Sequence, residues 1–78
     1  MLTKKESYNV AVVGATGIVG ESLLEILYSR RFPISSIHAL ASKKSKGSKA
    51  KFGDQLLTVE SLDEFNFTDI DIAFFSAG

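Results

Sequence analysis

Gly14, Gly17 and Gly20 stand three apart in the stretch VVGATGIVGESLLEIL, between an apolar β-branched run and a segment with helical spacing. Three positions without side chains predict a backbone that a large anion can approach. Gly14 would let the chain turn sharply out of a strand, Gly17 would leave main-chain N–H groups open to a pyrophosphate, and Gly20 would let the next helix lie close to the sheet. The N–H groups and positive dipole end of that helix then hold phosphates without any charged side chain. The spacing therefore predicts a dinucleotide site. Ser76, Ala77 and Gly78 follow a second apolar run, IDIAFF, and small residues at the carboxyl end of a parallel strand predict a backbone contact to the same ligand.

The choice of dinucleotide falls to the residues after the second strand, where NAD binders commonly place an acid for the ribose 2′-hydroxyl. Here the chain reads Ala41-Ser42-Lys43-Lys44-Ser45, with hydroxyls and ammonium groups and no carboxylate. Charge-assisted bonds to a 2′-phosphate are stronger than neutral ones, so NADP is expected. Lys43, Lys46, Lys49 and Lys51 also read as solvated loop lysines. Other reactive side chains carry less. His38 lies within a strand pattern with no second histidine and no cysteine to join it, and is read as a packed strand residue. Asp69 and Asp71 beside a strand start read as turn and solvent contacts rather than a general acid/base pair. Phe74 and Phe75 read as core. The absence of cysteine removes disulfides, thiolate metal sites and thiol nucleophiles from these residues.

Positioning such a turn requires a strand before it and a helix after it. Residues 9–13 (NVAVV) are apolar on both faces, as in a strand buried in a parallel sheet. Residues 17–31 place Val19, Leu23, Leu24 and Leu27 on one helical face and Glu21, Ser22, Glu25 and Ser29 on the other. Thr16 is the expected N-cap, Arg30 and Arg31 fall in the last turn, and Pro33 bars continuation. Residues 36–41 predict a second strand, 42–54 a loop, and 55–59 a short third strand. Ser61 and Glu64 then have the spacing of a capping box opening a brief helix, and residues 70–75 predict a fourth strand.

The sum is an α/β chain, a partial Rossmann-like doubly wound parallel sheet of about four strands. Residues 1–78 would form the N-terminal part of an NADP-binding domain, cut off before the second half of the sheet and any catalytic domain. One full helix and one short one are few for two sheet faces, so bare apolar surface and poor autonomous folding are expected. A chain of 78 residues without cysteine is small for one hydrophobic core. The formal net charge is zero, but its distribution is uneven: the bases from Arg30 to Lys51 have no acid among them, and the acids from Asp54 onward have no base. Lysines at 43, 44, 46, 49 and 51 without interleaved aromatics read as a loop rather than a nucleic-acid surface. No apolar run is long enough for a membrane span and the N-terminus is too polar for a signal peptide, which makes the cytoplasm the expected compartment.

Taken together, VAVVGATGIVG, Phe32-Pro33, Leu40-Ala41-Ser42 with Ser45 and Gly47, and DIAFFSAG resemble the N-terminal part of the aspartate-semialdehyde dehydrogenase family, over nearly the whole chain. The resemblance implies that Thr16, Gly17, Ile18 and Val19 line the pyrophosphate, that Ser42, Lys44 and Ser45 face the 2′-phosphate, and that Ser76, Ala77 and Gly78 lie along the nicotinamide. It implies a full enzyme, a homo-oligomer acting on a small molecule, that reductively dephosphorylates L-aspartyl 4-phosphate for lysine, threonine, methionine and diaminopimelate synthesis. The family's cysteine, histidine and arginine of catalysis would lie beyond Gly78, so this segment alone would bind cofactor without turnover. Lys44 stands where the family commonly has arginine, and Lys46-Gly47-Ser48-Lys49 where it has a small residue and Gly-Lys. A lysine binds phosphate as a point charge instead of a planar fork. Alternative readings are a non-catalytic NADP-binding module, an N-acetyl-glutamyl-phosphate reductase and an extended short-chain reductase.

Overall fold

The computed structural model describes residues 6–76. Strand β1 (Tyr8–Val13) leads through residues 14–17 into helix α1 (Ile18–Ser29), and β2 (Ile34–Ala41) returns parallel to β1. A 3₁₀ turn (Lys43–Ser45) precedes β3 (Lys49–Phe52) and β4 (Gln55–Thr58), followed by β5 (Glu60–Ser61) and β6 (Ile72–Phe75). The main sheet has the order β5-β2-β1-β6, all parallel, and β3 with β4 forms a separate antiparallel pair.

Alternation along β1 divides the core between the two faces of the sheet. Val10 and Val12 join Leu24 and Leu27 of α1 with Ala39 and Ala41 of β2. Ala11 and Val13 point the other way with Leu40, against Leu62, Phe65, Phe67 and Ile70. Helix covers the first face. An extended segment covers the second, with Phe65 and Phe67 meeting edge to face at 4.9 Å.

Several expectations need correction. The stretch read as a loop at 42–54 holds the 3₁₀ turn and the whole of β3, whose hairpin turn is Gly53-Asp54 with Gly53 at φ +62°. A positive φ at the first of two central residues suits a type II′ hairpin turn. Residues 55–59 are not a strand of the parallel sheet, because they pair with β3; the parallel position beside β2 goes to Glu60 and Ser61. Ser61 is therefore a strand residue opposite Ala41, and residues 62–64 form a turn instead of a capped helix. The helix also begins later and ends earlier than its periodicity suggests. Its N-cap is Gly17 rather than Thr16, with no side-chain cap. Arg31 adopts φ +54°, while the N–H of Arg31 bonds to Tyr28 O and that of Phe32 to Leu27 O. These two bonds make a Schellman ending with arginine at the left-handed position usually given to glycine, so both arginines lie past the last turn. Val19 is exposed instead of buried, because the first turn of α1 overhangs the sheet, and Phe75 is exposed on the outer strand β6.

Candidate dinucleotide site

The chain enters the site where β1 stops. Gly14 has φ +83°, and a Cβ there would lie 3.1 Å from the Cβ of Ser76, so β1 and β6 end side by side. The N–H of Ser76 bonds to Val13 O, while the N–H groups of Gly14 and Ala15 both turn back to Leu40 O on β2. Chain order reverses at this point, with β2 on one side of β1 and β6 on the other. Open parallel sheets bind ligands in the crevice outside the carboxyl ends at such a switch point.

The three glycines differ in what demands them. A Cβ at Gly20 would lie 2.0 Å from Gly14 O and 2.7 Å from Ala15 Cα, so α1 presses directly on the preceding backbone at this buried residue. A Cβ at Gly17 would meet only Gly14 O, at an ordinary 3.6 Å, and Gly17 is exposed with φ −84°. The fold does not require a glycine there. With no side chain capping the helix, the first-turn N–H groups of Ile18 and Val19 have no backbone acceptor among the described residues, and both side chains are exposed beside them.

Opposite this turn stands the loop after β2. Ser42 precedes the 3₁₀ turn and accepts the N–H of Ser45 at its carbonyl. Gly47 N–H bonds to Val59 O and Val59 N–H to Ser48 O, which ties the loop to the chain leaving β4. Lys46 is taken up by Glu64, Nζ to Oε1 2.5 Å, and Lys49 donates to Thr58 Oγ1 at 2.7 Å. Lys43 and Lys44 are exposed and make no ion pair among the described residues. A cleft of about 870 Å³ runs between α1 and the hairpin, lined by Ala15 and Thr16 after β1, Ser45 and Ser48 after β2, Glu21, Glu25 and Tyr28 of α1, and Lys49 and Lys51 of β3.

The structure thus brings Gly14, Thr16, Gly17, Ile18, Val19, Gly20 and Ser76 to one end of the sheet, and Thr16 and Ser45 to one cleft. Ala77 and Gly78 lie outside the described residues. The Glu60 carboxylate accepts from His38 Nδ1 across β2 and β5 at 3.1 Å, and the imidazole meets the Phe65 ring at a tilt, as a packed strand residue. Asp71 is more than a solvent contact: its carboxylate accepts the N–H of Asn9 at 2.8 Å and fixes the start of β6 against β1. No group of three or more metal-ligating side chains occurs among the described residues.

A family model described as the semialdehyde dehydrogenase NAD-binding domain matches residues 9–78. The chain belongs to that family. An aspartate-semialdehyde dehydrogenase of Rickettsia bellii is 57% identical over 99% of the chain, and one of Vibrio mimicus is 42% identical over 94%. The crystal structure of aspartate semialdehyde dehydrogenase II from Vibrio cholerae, complexed with ASA, superposes with a TM-score of 0.86 at 43% identity over 92% of the chain. The chain spans 22% of the Rickettsia relative and 24% of that Vibrio structure.

Within this semialdehyde dehydrogenase domain the hairpin is the part of the site that sequence reasoning missed. Lys49, Ala50, Lys51, Gly53 and Leu56 all line the cleft. The signal for it was present in Phe52-Gly53-Asp54-Gln55, a glycine-led pair between two short runs, but the surrounding lysines masked the alternation. Ala50, buried between exposed Lys49 and Lys51, and half-buried Phe52 two residues on show which face of β3 turns to the core.

Proposed function

We propose that this domain binds NADP and that the polypeptide carrying it is an NADP-dependent aspartate-semialdehyde dehydrogenase, converting L-aspartyl 4-phosphate to L-aspartate 4-semialdehyde. The observation that carries the reading is Gly17: exposed, at a sheet switch point, bare where the fold needs no bareness, and followed by uncapped helix N–H groups. A pyrophosphate is the kind of anion such a cradle takes. Gly14, Thr16, Gly17, Ile18 and Val19 would bind it, with Gly20 permitting the helix to lie where it does. Ser42, Lys44 and Ser45 would hold the 2′-phosphate, with Lys43 beside them. Ser76, Ala77 and Gly78 would flank the nicotinamide, which supplies hydride when bound.

The role of these residues is to hold and orient; the nucleophile, proton carrier and substrate-binding base belong to the rest of the polypeptide. On the same reading the enzyme is a cytoplasmic homo-oligomer serving lysine, threonine, methionine and diaminopimelate synthesis. The test is a titration of the whole polypeptide with NADPH and NADH. NADPH should bind at least tenfold more tightly, and Lys43→Glu/Lys44→Glu should remove that margin while leaving NADH within about twofold, because only the 2′-phosphate loses its counter-charges. Tighter NADH binding by the wild type would overturn the cofactor assignment. Turnover of N-acetyl-glutamyl phosphate in preference to aspartyl phosphate would overturn the substrate.

A further inference from the structure

The hairpin forms one wall of the cleft, yet it is not a strand of the main sheet, so something else must fix its distance from the glycine turn. Ala50, Phe52 and Leu57 pack on the core along its length. At its tip the contact is of a different kind. A Cβ on Gly53 would lie 2.0, 2.2 and 2.4 Å from three ring carbons of Tyr28, so the Tyr28 ring rests directly on the Gly53 backbone. The same ring meets Phe52 edge to face, with centroids 5.4 Å apart. Tyr28 lines the dinucleotide cleft on one side and a second cleft, toward Ile34 and Ile37 of β2, on the other.

Helix α1 thereby carries both walls. Its first turn follows Ala15 and Thr16, which line the cleft, and Tyr28, ten residues beyond Ile18 and hence about 15 Å along a rigid rod, meets the tip of the hairpin wall. The helix end is itself fixed by the Schellman bonds at Tyr28 O and Leu27 O. From the tip, β3 and β4 run back to the Ser48–Val59 bond and so to the 3₁₀ turn with Lys43, Lys44 and Ser45.

We propose that Tyr28, through its ring contact with Gly53, is a positioning residue for the adenosine 2′-phosphate half of the dinucleotide. The inference rests on the NADP reading above. Tyr28 touches no pyrophosphate and makes no hydrogen bond through its hydroxyl among the described residues; it acts by setting the hairpin, which sets the loop that meets the phosphate.

The experiment is a double-mutant cycle in the whole polypeptide, read by the affinities of adenosine 2′,5′-bisphosphate and of inorganic pyrophosphate. Tyr28→Leu keeps apolar volume and removes the ring. Gly53→Ala pushes a methyl group into the ring. Each should weaken adenosine 2′,5′-bisphosphate about tenfold and leave pyrophosphate within about twofold. Together they should cost less than the hundredfold product, because the clash with the ring is gone in the double variant and only the strain of a Cβ at φ +62° remains. Tyr28→Phe, which keeps the ring, should match the wild type. Unchanged adenosine bisphosphate affinity in Tyr28→Leu, multiplicative losses in the double variant, or pyrophosphate weakening in parallel would each overturn the positioning role. A wild type that binds neither adenosine 2′,5′-bisphosphate nor NADP would overturn the cofactor reading itself, and the inference with it.

Discussion

Two glycine-marked connections frame the site, the turn from β1 to α1 and the hairpin turn from β3 to β4, and their glycines are needed for different reasons. Gly20 is forced by Gly14 O and Ala15 Cα, atoms that lie a few residues back in the same turn. Gly53 is required twice, by its own φ of +62° in the hairpin turn and by the ring of Tyr28, which comes from the far end of a helix on another element. A spacing rule can express the first constraint, because both parties to the contact are inside the motif. At Gly53 a turn pattern expresses the positive φ, but the Tyr28 contact involves a partner chosen by tertiary packing, and no short pattern contains it.

The largest effect that separates the two turns is expected from Gly20→Val. Its side chain would enter space held by backbone, which cannot move aside without displacing β1 from α1. Overpacking of this kind costs on the order of 3 kcal/mol, and urea unfolding should show it as a lowered midpoint. Gly53→Ala should cost less, since it adds one methyl group whose obstacles are a side chain and its own φ of +62° rather than the buried backbone that Gly20→Val would meet. An equal loss in the two variants would mean that the hairpin tip is as rigid as the turn.

Gly17→Asp sharpens the contrast inside a single turn. An aspartate at the N-cap can accept an N–H from the first turn, and it stabilises a helix by a few tenths of a kcal/mol relative to glycine. The same carboxylate would occupy the cradle and repel a diphosphate, so NADP should bind at least about tenfold more weakly, on the scale of one lost charge-assisted bond of ~1.5 kcal/mol or more. Stability and affinity should move in opposite directions. If both fell, Gly17 would be a structural glycine like Gly20, and the case for a ligand at this turn would lose its main support.

The same division between local and distant causes runs through what the sequence made legible. Strand β1, helix α1 and the turn between them follow from alternation, helical spacing and glycine chemistry within one stretch of chain, and the structure has them within one or two residues. The parallel return of β2 followed from its distance along the chain. The third parallel strand did not, because Gln55 to Thr58 have strand composition but find their partner in Lys49 to Phe52, and the vacant edge of β2 is taken by Glu60 and Ser61. Val19 has the periodicity of a buried residue and is exposed, since periodicity says which face it shares and not how far the sheet extends beneath it. The loop residues Ser42, Lys44 and Ser45 were singled out by what their stretch lacks, an acid, whereas the hairpin beside them was lost among its own lysines.

Ser61 gives the smallest expected effect and the one whose sign is most informative. Had the capping box formed, its hydroxyl would accept a helix N–H and Ser61→Ala would destabilise by about 1 kcal/mol. In the sheet the residue is 1% exposed, and its Oγ has no hydrogen-bond partner. Removing a buried hydroxyl that bonds to nothing relieves a desolvation penalty, so Ser61→Ala should leave stability unchanged or raise it by up to ~1 kcal/mol. Thermal unfolding of the variant decides between a local and a distant cause at this position: a drop in midpoint would restore the capped helix, and a rise would mean that pairing with Ala41 overrode the strongest local signal in the second half of the chain.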